Sequence, residues 1–330
     1  MLQYSYRPDP PPTRAHHSGE PQPWAPYSAL PDRPPIRWPN GARIALWILP
    51  CVLHYEYMPP SDPWLNAWTR MLPPDVLGYG RQEYGNRVAF WRVLDMLDRH
   101  GARCTIVANS TALRLYPRIA SAIAEREWEV LGHGQVNTRF VFGLTEDEER
   151  RYYEEMLRVV EETTGYRMKG MGGPGPQSAT ASTPDLLAEL GFLYHSDWFY
   201  DEQPTPLRVR SGRLVTMPYP TETNDVPVLG SAFDAEVFRD VVIRQFDQLH
   251  ADSAATGRVM GLCIHPFLIG QPHRIRFLDE ILRHVLSHPG VWQATGAEIA
   301  EYYVAHHYEP MVAHLRAQRA WDVPPQGATR

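Results

Sequence analysis

The chain has 330 residues, enough for one large or two ordinary domains with a sizeable apolar core. Hydrophobic residues make up 43% and charged residues 21%, a composition that excludes disorder throughout and is typical of a globular protein. The 32 basic and 38 acidic residues are spread along the chain, and the formal net charge of -6 leaves no basic stripe for nucleic-acid phosphates. The longest apolar stretch, 44–53, is too short to span a bilayer, so we expect neither a nucleic-acid nor a membrane partner.

The three cysteines, Cys51, Cys104 and Cys263, form no CxxC pair. Each lies in an apolar run, where cysteine behaves as a small buried side chain. The first residues contain no basic region followed by an apolar one, the pattern of a secretory signal. The sequence therefore predicts a reducing, cytoplasmic location.

Residues 1–40 are crowded with prolines, which exclude a regular helix or a central strand. We predict an extended N-terminal arm whose aromatic residues Trp24, Tyr27 and Trp38 pack along the body or a neighbouring subunit; a loosely ordered leader is the alternative. The arm is the reason to expect a homo-oligomer. The body is predicted to span 41–305, followed by a C-terminal helix and tail over 306–330.

Short apolar, β-branched runs alternate with longer amphipathic ones between these ends, which is typical of βα units building a parallel sheet. Eight such runs predict an α/β fold with a closed or nearly closed barrel. The predicted strands are 43–53, 103–108, 129–132, 168–171, 192–195, 214–217, 259–264 and 291–294.

Helices are predicted between these strands from periodicity and end signals. Capping boxes open two of them, at Thr145 and Thr295, and Thr183-Pro184 starts another. Ser211-Gly212 is predicted to turn a hairpin between 207–210 and 214–217. The remaining predicted helices are 86–100, 234–250 and 272–287.

Polar side chains interrupt the apolar pattern just after the strands. In a parallel barrel these positions converge on one mouth, so we expect a functional site there. A single histidine at such a place is more often structural, but two histidines and two carboxylates together favour a site. The residues are His54 and Glu56 after the first strand, Asn109 after the second, His133 and Asn137 after the third, Asp197 after the fifth and His265 after the seventh.

Five segments resemble the polysaccharide deacetylase-like (NodB homology) superfamily, and within it the allantoinase-like branch of amide and imide hydrolases. The resemblance covers about residues 41–303, and its segments follow the family's order along the chain. The segments are 53–56 (LHYE), 132–134 (GHG), 170–174 (GMGGP), 196–204 (SDWFYDEQP) and 264–273 (IHPFLIGQPH).

The resemblance implies a distorted (β/α) barrel of seven or eight strands whose mouth hydrolyses a carbon–nitrogen bond. Metal-dependent members use an Asp-His-His triad, but here the segment that begins at His133 carries Asn137 where the second histidine is expected. A neutral amide is a much poorer zinc ligand than imidazole. We therefore expect that no cofactor is required, although zinc or another divalent metal has a weak candidate site in His54, Glu56 and His133.

Hydrolysis of an amide needs a base for the attacking water, donors for the oxyanion and an acid for the leaving nitrogen. The sequence predicts Glu56 as the base, His265 as the acid, and Asp197 as the carboxylate that orients and charges His265. His133, Asn109 or Asn137 is expected to donate to the oxyanion. The predicted substrate-binding residues are His54, Asn109, His133, Asn137, Gly173, Pro174 and Trp198.

The segment from Tyr55 to Tyr79 carries Tyr57, Trp64 and Trp68 among prolines directly after the first strand. A long aromatic loop at a barrel mouth is typical of a lid or pocket wall, and the alternative is that it packs against a neighbouring subunit. A narrowed mouth favours a small amide or imide over an extended glycan.

The leading function is therefore hydrolysis of a carbon–nitrogen bond, other than a peptide bond, in a small amide or cyclic imide. A metal-dependent carbohydrate N-deacetylase, with a role in carbohydrate metabolism, is the second hypothesis. A barrel that has lost catalysis and binds a ligand or serves an assembly is the third.

Overall fold

The computed structural model describes residues 22, 24–60, 73–174, 179–230 and 234–321. Trp64 and Trp68, on which part of the predicted lid rests, lie outside these residues. The tail beyond residue 321 lies outside them too.

One nine-stranded sheet forms the centre of the described chain. Its strand order is β6-β7-β5-β4-β3-β2-β1-β8, and β9 pairs with β1. Every pairing is parallel except that of β6 with β7. The strands are β1 (Ile44–Val52), β2 (Thr105–Ala108), β3 (Glu129–Gly132), β4 (Gly170–Met171), β5 (Tyr194–His195), β6 (Pro206–Leu207), β7 (Leu214–Thr216), β8 (Arg258–Ile264) and β9 (Val291–Gln293).

All eight predicted strands are present, most of them one or two residues shorter than the apolar runs. The predicted hairpin is also confirmed, with β6 as its first strand, although that strand ends at Leu207 rather than continuing to Arg210. β1 is buried along its whole length. A strand covered on both faces has no solvent side, which explains why its sequence is continuously apolar.

The sheet curls into a half-barrel and confirms the predicted distorted (β/α) barrel. β8 pairs with β1 along one edge, while its other edge receives irregular segments instead of a strand. There the backbone N–H groups of Val259 and Cys263 donate to the carbonyls of Glu202 and Thr223, at 2.8 and 3.0 Å. These bonds satisfy the edge without a closing ladder.

Helices cover the outside of the curled sheet. Both predicted capping boxes are present, Thr145 with Glu148 and Thr295 with Glu298. Five of the described helices were not predicted, α1, α3, α4, α7 and α9. The helices are α1 (Val76–Tyr84), α2 (Phe90–Arg99), α3 (Ser110–Leu115), α4 (Pro117–Glu125), α5 (Glu146–Thr164), α6 (Thr183–Glu189), α7 (Asp225–Gly230), α8 (Ala235–Asp252), α9 (Pro266–Ile269), α10 (Ile275–Ser287), α11 (Gly296–His306) and α12 (Tyr308–Ala317), with a π-turn at Gly85–Ala89 and 3-10 turns at Leu30–Asp32 and Pro39–Gly41.

The described part of the N-terminal arm packs along the barrel. Trp38 is buried and its indole N–H donates to the carbonyl of Arg258 at 2.9 Å. Arg33 forms an ion pair with Asp201 at 2.7 Å. Tyr27, in contrast, is exposed. The body itself provides the surface for the arm, as one of the two sequence hypotheses expected.

A buried carboxylate closes the amino end of the sheet, opposite the predicted mouth. Glu129 begins β3 and accepts hydrogen bonds from Thr105 Oγ1 at 2.7 Å, Tyr194 Oη at 2.8 Å and the backbone N–H of Ala297 at 3.0 Å. These bonds join three strands to the first turn of α11. Burial raises the pKa of Glu129, and the hydrogen bonds lower it by a smaller amount.

Among the described helices, none combines the length and apolarity needed to cross a membrane.

Candidate active site

His265 lies at the carboxyl end of β8, paired with a buried carboxylate. Asp225 is fully buried at the start of α7; its Oδ1 accepts from His265 Nδ1 at 2.7 Å and its Oδ2 from the backbone N–H of His265 at 2.9 Å. Burial lowers the pKa of His265, but the charges of Asp225 and Cys263 and the hydrogen bond raise it by more. The net effect is a raised pKa, which favours an imidazolium whose Nε2–H can be donated.

The predicted pairing of Asp197 with His265 is wrong. Asp197 accepts from the backbone N–H of Gly173 with both oxygens, at 2.8 and 3.0 Å, and its Oδ2 lies 3.1 Å from His195 Nε2. Asp225 takes the position that the prediction gave to Asp197. The carboxylate of Asp225 reaches His265 because α7 begins beside the edge of β8 that has no neighbouring strand. There the backbone of Asn224 forms an isolated β-bridge with that of Cys263.

Two hydrogen bonds connect the indole of Trp198 through the ring of His195 to the carboxylate of Asp197. Trp198 Nε1 donates to His195 Nδ1 at 3.2 Å. Because indole can only donate, Nδ1 must be the acceptor, so the hydrogen of the neutral ring is on Nε2 and points to Asp197. His195 is buried. Trp198, His195 and Gly173 therefore hold the Asp197 carboxylate in place.

His133 follows β3 and interacts with the charges of Asp197 and His265. The pKa of His133 is lowered to about 4, mainly by burial and also by the charge of His265. The charge of Asp197 and a backbone hydrogen bond with Gly172 oppose this shift. His133 is therefore a neutral imidazole near neutral pH. The charges of Asp197 and His265 thus both act on His133, and the grouping of these three residues into one site stays a prediction.

His54 does not join these three residues through its ring. Its Nδ1 lies 3.3 Å from Tyr116 Oη, and Tyr116 donates its hydroxyl hydrogen to Glu83. The phenol oxygen is then the acceptor for His54 Nδ1–H. Burial lowers the pKa of His54, while Glu83 and Glu56 raise it by less. This side chain connects the end of β1 to α1 and to the residue between α3 and α4.

The structure does not support Glu56 as the general base. Arg139 Nε and Nη2 donate to its two oxygens at 2.9 and 3.0 Å, and Thr138 Oγ1 donates to Oε2 at 2.7 Å. A bidentate pair with arginine fixes the position of the carboxylate. Glu56 thus ties the turn after β1 to the segment after β3.

The two asparagines act as structural links. Asn109 Oδ1 accepts from the backbone N–H of His54 at 2.8 Å, and its Nδ2 donates to the carbonyl of His133. Asn137 Nδ2 donates to Tyr55 Oη at 2.8 Å, and burial raises the pKa of Tyr55 to about 12. Each amide group thus spends one of its two N–H donors on a structural bond, and the oxyanion role of Asn109 or Asn137 stays a prediction. Asn137 Oδ1 is buried without a partner among the described residues.

The segment after β4 supports the site through its backbone. Gly173 donates to Asp197, as described above. A Cβ on Gly134, whose φ is +74°, would lie 2.8 Å from Pro174 Cγ, so Pro174 packs on the backbone of the turn after His133. Both predicted residues thus contribute to positioning.

The residues implied as metal ligands do not fit a metal. His54, Glu56 and His133 each have separate partners, and they form no group with three ligand atoms within 4.8 Å among the described residues. Asn137 binds Tyr55 through its Nδ2, and its unpartnered Oδ1 is a neutral amide oxygen, a poorer zinc ligand than imidazole. The weak metal site expected from the sequence is therefore not formed by this arrangement.

The thiols of Cys51 and Cys263 lie next to His265 inside the half-barrel. Cys51 Sγ is 3.5 Å from Cys263 Sγ, and Tyr219 Oη is 3.0 Å from Cys263 Sγ. Burial raises the pKa of Cys51 well above its ordinary value. All three cysteines are free and buried, as predicted. Cys51, Cys263 and His265 do bring three ligand atoms within 4.8 Å, but Cys51 and Cys263 are not among the ligands that the resemblance implies.

A cavity of about 740 Å³ lies beside the segment that follows His265. Phe267, whose ring centroid is 5.9 Å from that of His265, forms part of its wall. The other lining residues come from α1, the residues before it and the α9–α10 connection, including Arg81, Gln271 and Arg274.

Sequence reasoning missed two residues of the site, Asp225 and His195. His195 was assigned to a strand, and nothing in the strand pattern distinguishes it from a core residue. Asp225 lies nine residues after β7 in a segment without periodicity. No local signal in the sequence identified either one.

Comparisons with known proteins agree with this architecture, although no family model matches the chain. A Schizosaccharomyces pombe protein assigned as a polysaccharide deacetylase is 26% identical over 241 residues, 68% of this chain and 75% of that protein. A structure assigned as a polysaccharide deacetylase from Pseudomonas aeruginosa PAO1 aligns with TM-score 0.73 and 25% identity over 83% of this chain and 95% of its own. Puue allantoinase aligns with TM-score 0.71 and 25% identity over 83% and 94%.

The half-barrel and these similarities define a hydrolase of carbon–nitrogen bonds other than peptide bonds. The resemblance stated from the sequence is confirmed: the chain is similar to proteins assigned as polysaccharide deacetylases and has an allantoinase among its structural neighbours.

Proposed function

We propose that this protein hydrolyses the carbon–nitrogen bond of a small amide or cyclic imide, with His265 as general acid and His133 as the residue that binds and deprotonates water. The observation that carries the proposal is the opposite displacement of two histidine pKa values at one barrel mouth. The pKa of His265 is raised, and that of His133 is lowered to about 4. When their environments shift the pKa values of two titratable groups in opposite directions, one group serves as the acid and the other as the base.

Each ring supplies a different half of the reaction. The neutral His133 accepts a hydrogen from the attacking water, and the Asp197 carboxylate stabilises the imidazolium that forms. His265 gives its Nε2 hydrogen to the leaving nitrogen, because its Nδ1 is engaged with Asp225. After the bond breaks, proton exchange with solvent restores His133 and His265 to their starting forms.

The neighbouring cavity is lined by Phe267 but not by His133, Asp197 or His265, and we propose that it accommodates the part of a small substrate that does not react. About 740 Å³ lies within the range of small-molecule sites. Arg81 and Arg274 line it and would favour a substrate that carries a negative or strongly polar group.

Carbohydrate N-deacetylation is the second candidate. It is favoured by the similarity to proteins assigned as polysaccharide deacetylases in yeast and in Pseudomonas aeruginosa. Both candidates break an amide bond, so the site chemistry serves either one.

A substrate panel separates the two candidates. Cyclic imides, hydantoins and linear amides are compared with acetylated chito-oligomers at matched concentration, with His265→Ala as the control. We expect turnover of the small molecules, reduced by about 10²–10⁴-fold in the variant. Efficient deacetylation of long oligomers would instead establish the carbohydrate deacetylase, and no turnover of any amide by the intact protein would contradict the hydrolase proposal.

A further inference from the structure

Three histidines and an aspartate form a cluster on the outer helical layer, named the histidine cluster below. Asp247 and His250 lie three residues apart on α8, a spacing that puts them on one face of the helix. His284 lies in the last turn of α10, and His288 is the residue that follows this helix. The cluster therefore joins two packed helices and contains no residue of the proposed active site.

The ligand atoms of this cluster are close together. One oxygen of Asp247 and one ring nitrogen each of His284 and His288 lie within 4.8 Å of one another. The ring centroids of His284 and His288 are 4.7 Å apart, and that of His250 is 5.7 Å from His288. The side chain of Asp247 is 53% exposed and that of His284 30%, so an ion from solvent can reach them.

Backbone carbonyls fix the hydrogens of two of these rings. His288 Nδ1 lies 2.8 Å from the carbonyl of His284, and His250 Nε2 lies 2.9 Å from the carbonyl of Pro289. A carbonyl only accepts, so these nitrogens carry the hydrogen and the opposite nitrogens, His288 Nε2 and His250 Nδ1, have free lone pairs. Carbonyl bonds of this kind orient metal-binding histidines.

We infer that the histidine cluster is a binding site for a divalent transition-metal ion, with zinc as its expected occupant. Asp247, His284 and His288 are the three protein ligands, and His250 or water is the fourth. Imidazole with one carboxylate suits Zn²⁺ and its neighbours in the first row, whereas Mg²⁺ and Ca²⁺ prefer oxygen ligands.

Binding replaces a hydrogen bond between two of the ligands. His284 Nε2–H now donates to Asp247 Oδ1 at 2.7 Å. The ion takes the place of this hydrogen between the nitrogen and the oxygen, and exchange with solvent moves the hydrogen to Nδ1, so the neutral ring coordinates through Nε2. Because the ligands come from α8 and α10, the bound ion connects these helices and stabilises the folded chain.

The test is a calorimetric titration of the chelator-treated full chain with Zn²⁺. We expect binding of one equivalent of Zn²⁺ that depends on the cluster. His284→Ala and His288→Ala should each weaken that binding by at least about tenfold, since even outer residues of metal sites contribute this much. Zn²⁺, but not Mg²⁺, should raise Tm.

Two more variants are titrated in the same way: Asp247→Asn removes the carboxylate ligand, and His306→Ala is the control. Asp247→Asn should weaken binding without unfolding risk, because its side chain is half exposed. His306 is an exposed histidine of α11 outside the cluster, so His306→Ala should bind as the wild type does. Wild-type stoichiometry, affinity and Tm shift in the double variant His284→Ala/His288→Ala would overturn the inference. Amide turnover is expected to be unchanged in all these variants, which separates this test from that of the proposed function.

Discussion

At the scale of single residues, the site depends on which carboxylate faces which histidine. Asp225 binds His265, and Asp197 acts on His133 through its charge. This division assigns the two carboxylates to different steps of the proposed reaction. It also makes each carboxylate a positioning residue, because neither is proposed to react with the substrate.

The Asp225–His265 pair is expected to act as a unit. His265→Ala should reduce kcat by about 10²–10⁴-fold, the range for a general acid. Asp225→Asn should reduce it in the same direction, and the double variant should be little worse than His265→Ala. Steady-state kinetics with circular dichroism as a folding control measures this. Losses that multiply in the double variant would contradict the pairing.

The pH dependence of kcat/KM follows from the two shifted pKa values. His133 must be neutral, so activity should increase as pH rises through about 4. His265 must be protonated, so activity should decrease as pH rises through its pKa, which lies above the ordinary 6.5. A bell-shaped profile between these limits is expected.

Variants assign each limb of this profile. Asp225→Asn removes the charge that raises the pKa of His265, so the basic limb should move to lower pH. Asp197→Asn should move the acidic limb to lower pH, because the charge of Asp197 raises the pKa of His133. A basic limb unchanged in Asp225→Asn would show that His265 is not the acid.

At the scale of elements, the two ends of the sheet have separate tasks. The carboxyl ends hold the proposed site, while Glu129 at the amino end joins β2, β3 and β5 to α11. Stability and chemistry can therefore be changed independently, as is common in parallel barrels.

Glu129→Leu should destabilise the fold by about 3–5 kcal/mol, because it leaves buried donors without an acceptor. Glu129→Gln, which keeps the shape and one carbonyl oxygen, should cost less. Urea unfolding measures both, and kcat of the folded fraction should not change. A loss below about 1 kcal/mol in Glu129→Leu would mean that this network contributes little.

At the scale of the whole molecule, the proposed reaction needs no metal at the positions that the resemblance implies. Prolonged chelation should leave kcat unchanged, because His54 and Glu56 are engaged with other residues. The measurement is turnover after dialysis against a chelator, with metal analysis of the same sample. Activity lost on chelation and restored by zinc would contradict this expectation and would direct attention to Cys51, Cys263 and His265.

A cytoplasmic location, a homo-oligomer and the division into arm, body and tail stay predictions. The described part of the arm lies on the barrel, and the apolar face of α12 is buried through Val312 and Leu315. Size-exclusion chromatography with light scattering of the full chain tests the oligomer.

The sequence alone determined most elements and the mouth of the barrel. Periodicity and capping are local: a strand such as β3 or a helix such as α5 is specified by adjacent residues, and the observed capping boxes match the predicted ones. The rule that polar residues follow parallel strands then predicted one place for His133, Asp197 and His265.

Only the tertiary structure decided which side chains are partners. Asp225 meets His265 across 40 residues, and Arg139 meets Glu56 across 83. Such pairs depend on where α7 and the segment after β3 are placed, which no local pattern specifies. A carboxylate in a sequence has no stated direction, and its role as a base, a structural ion pair or a histidine partner follows from the neighbours that packing gives it.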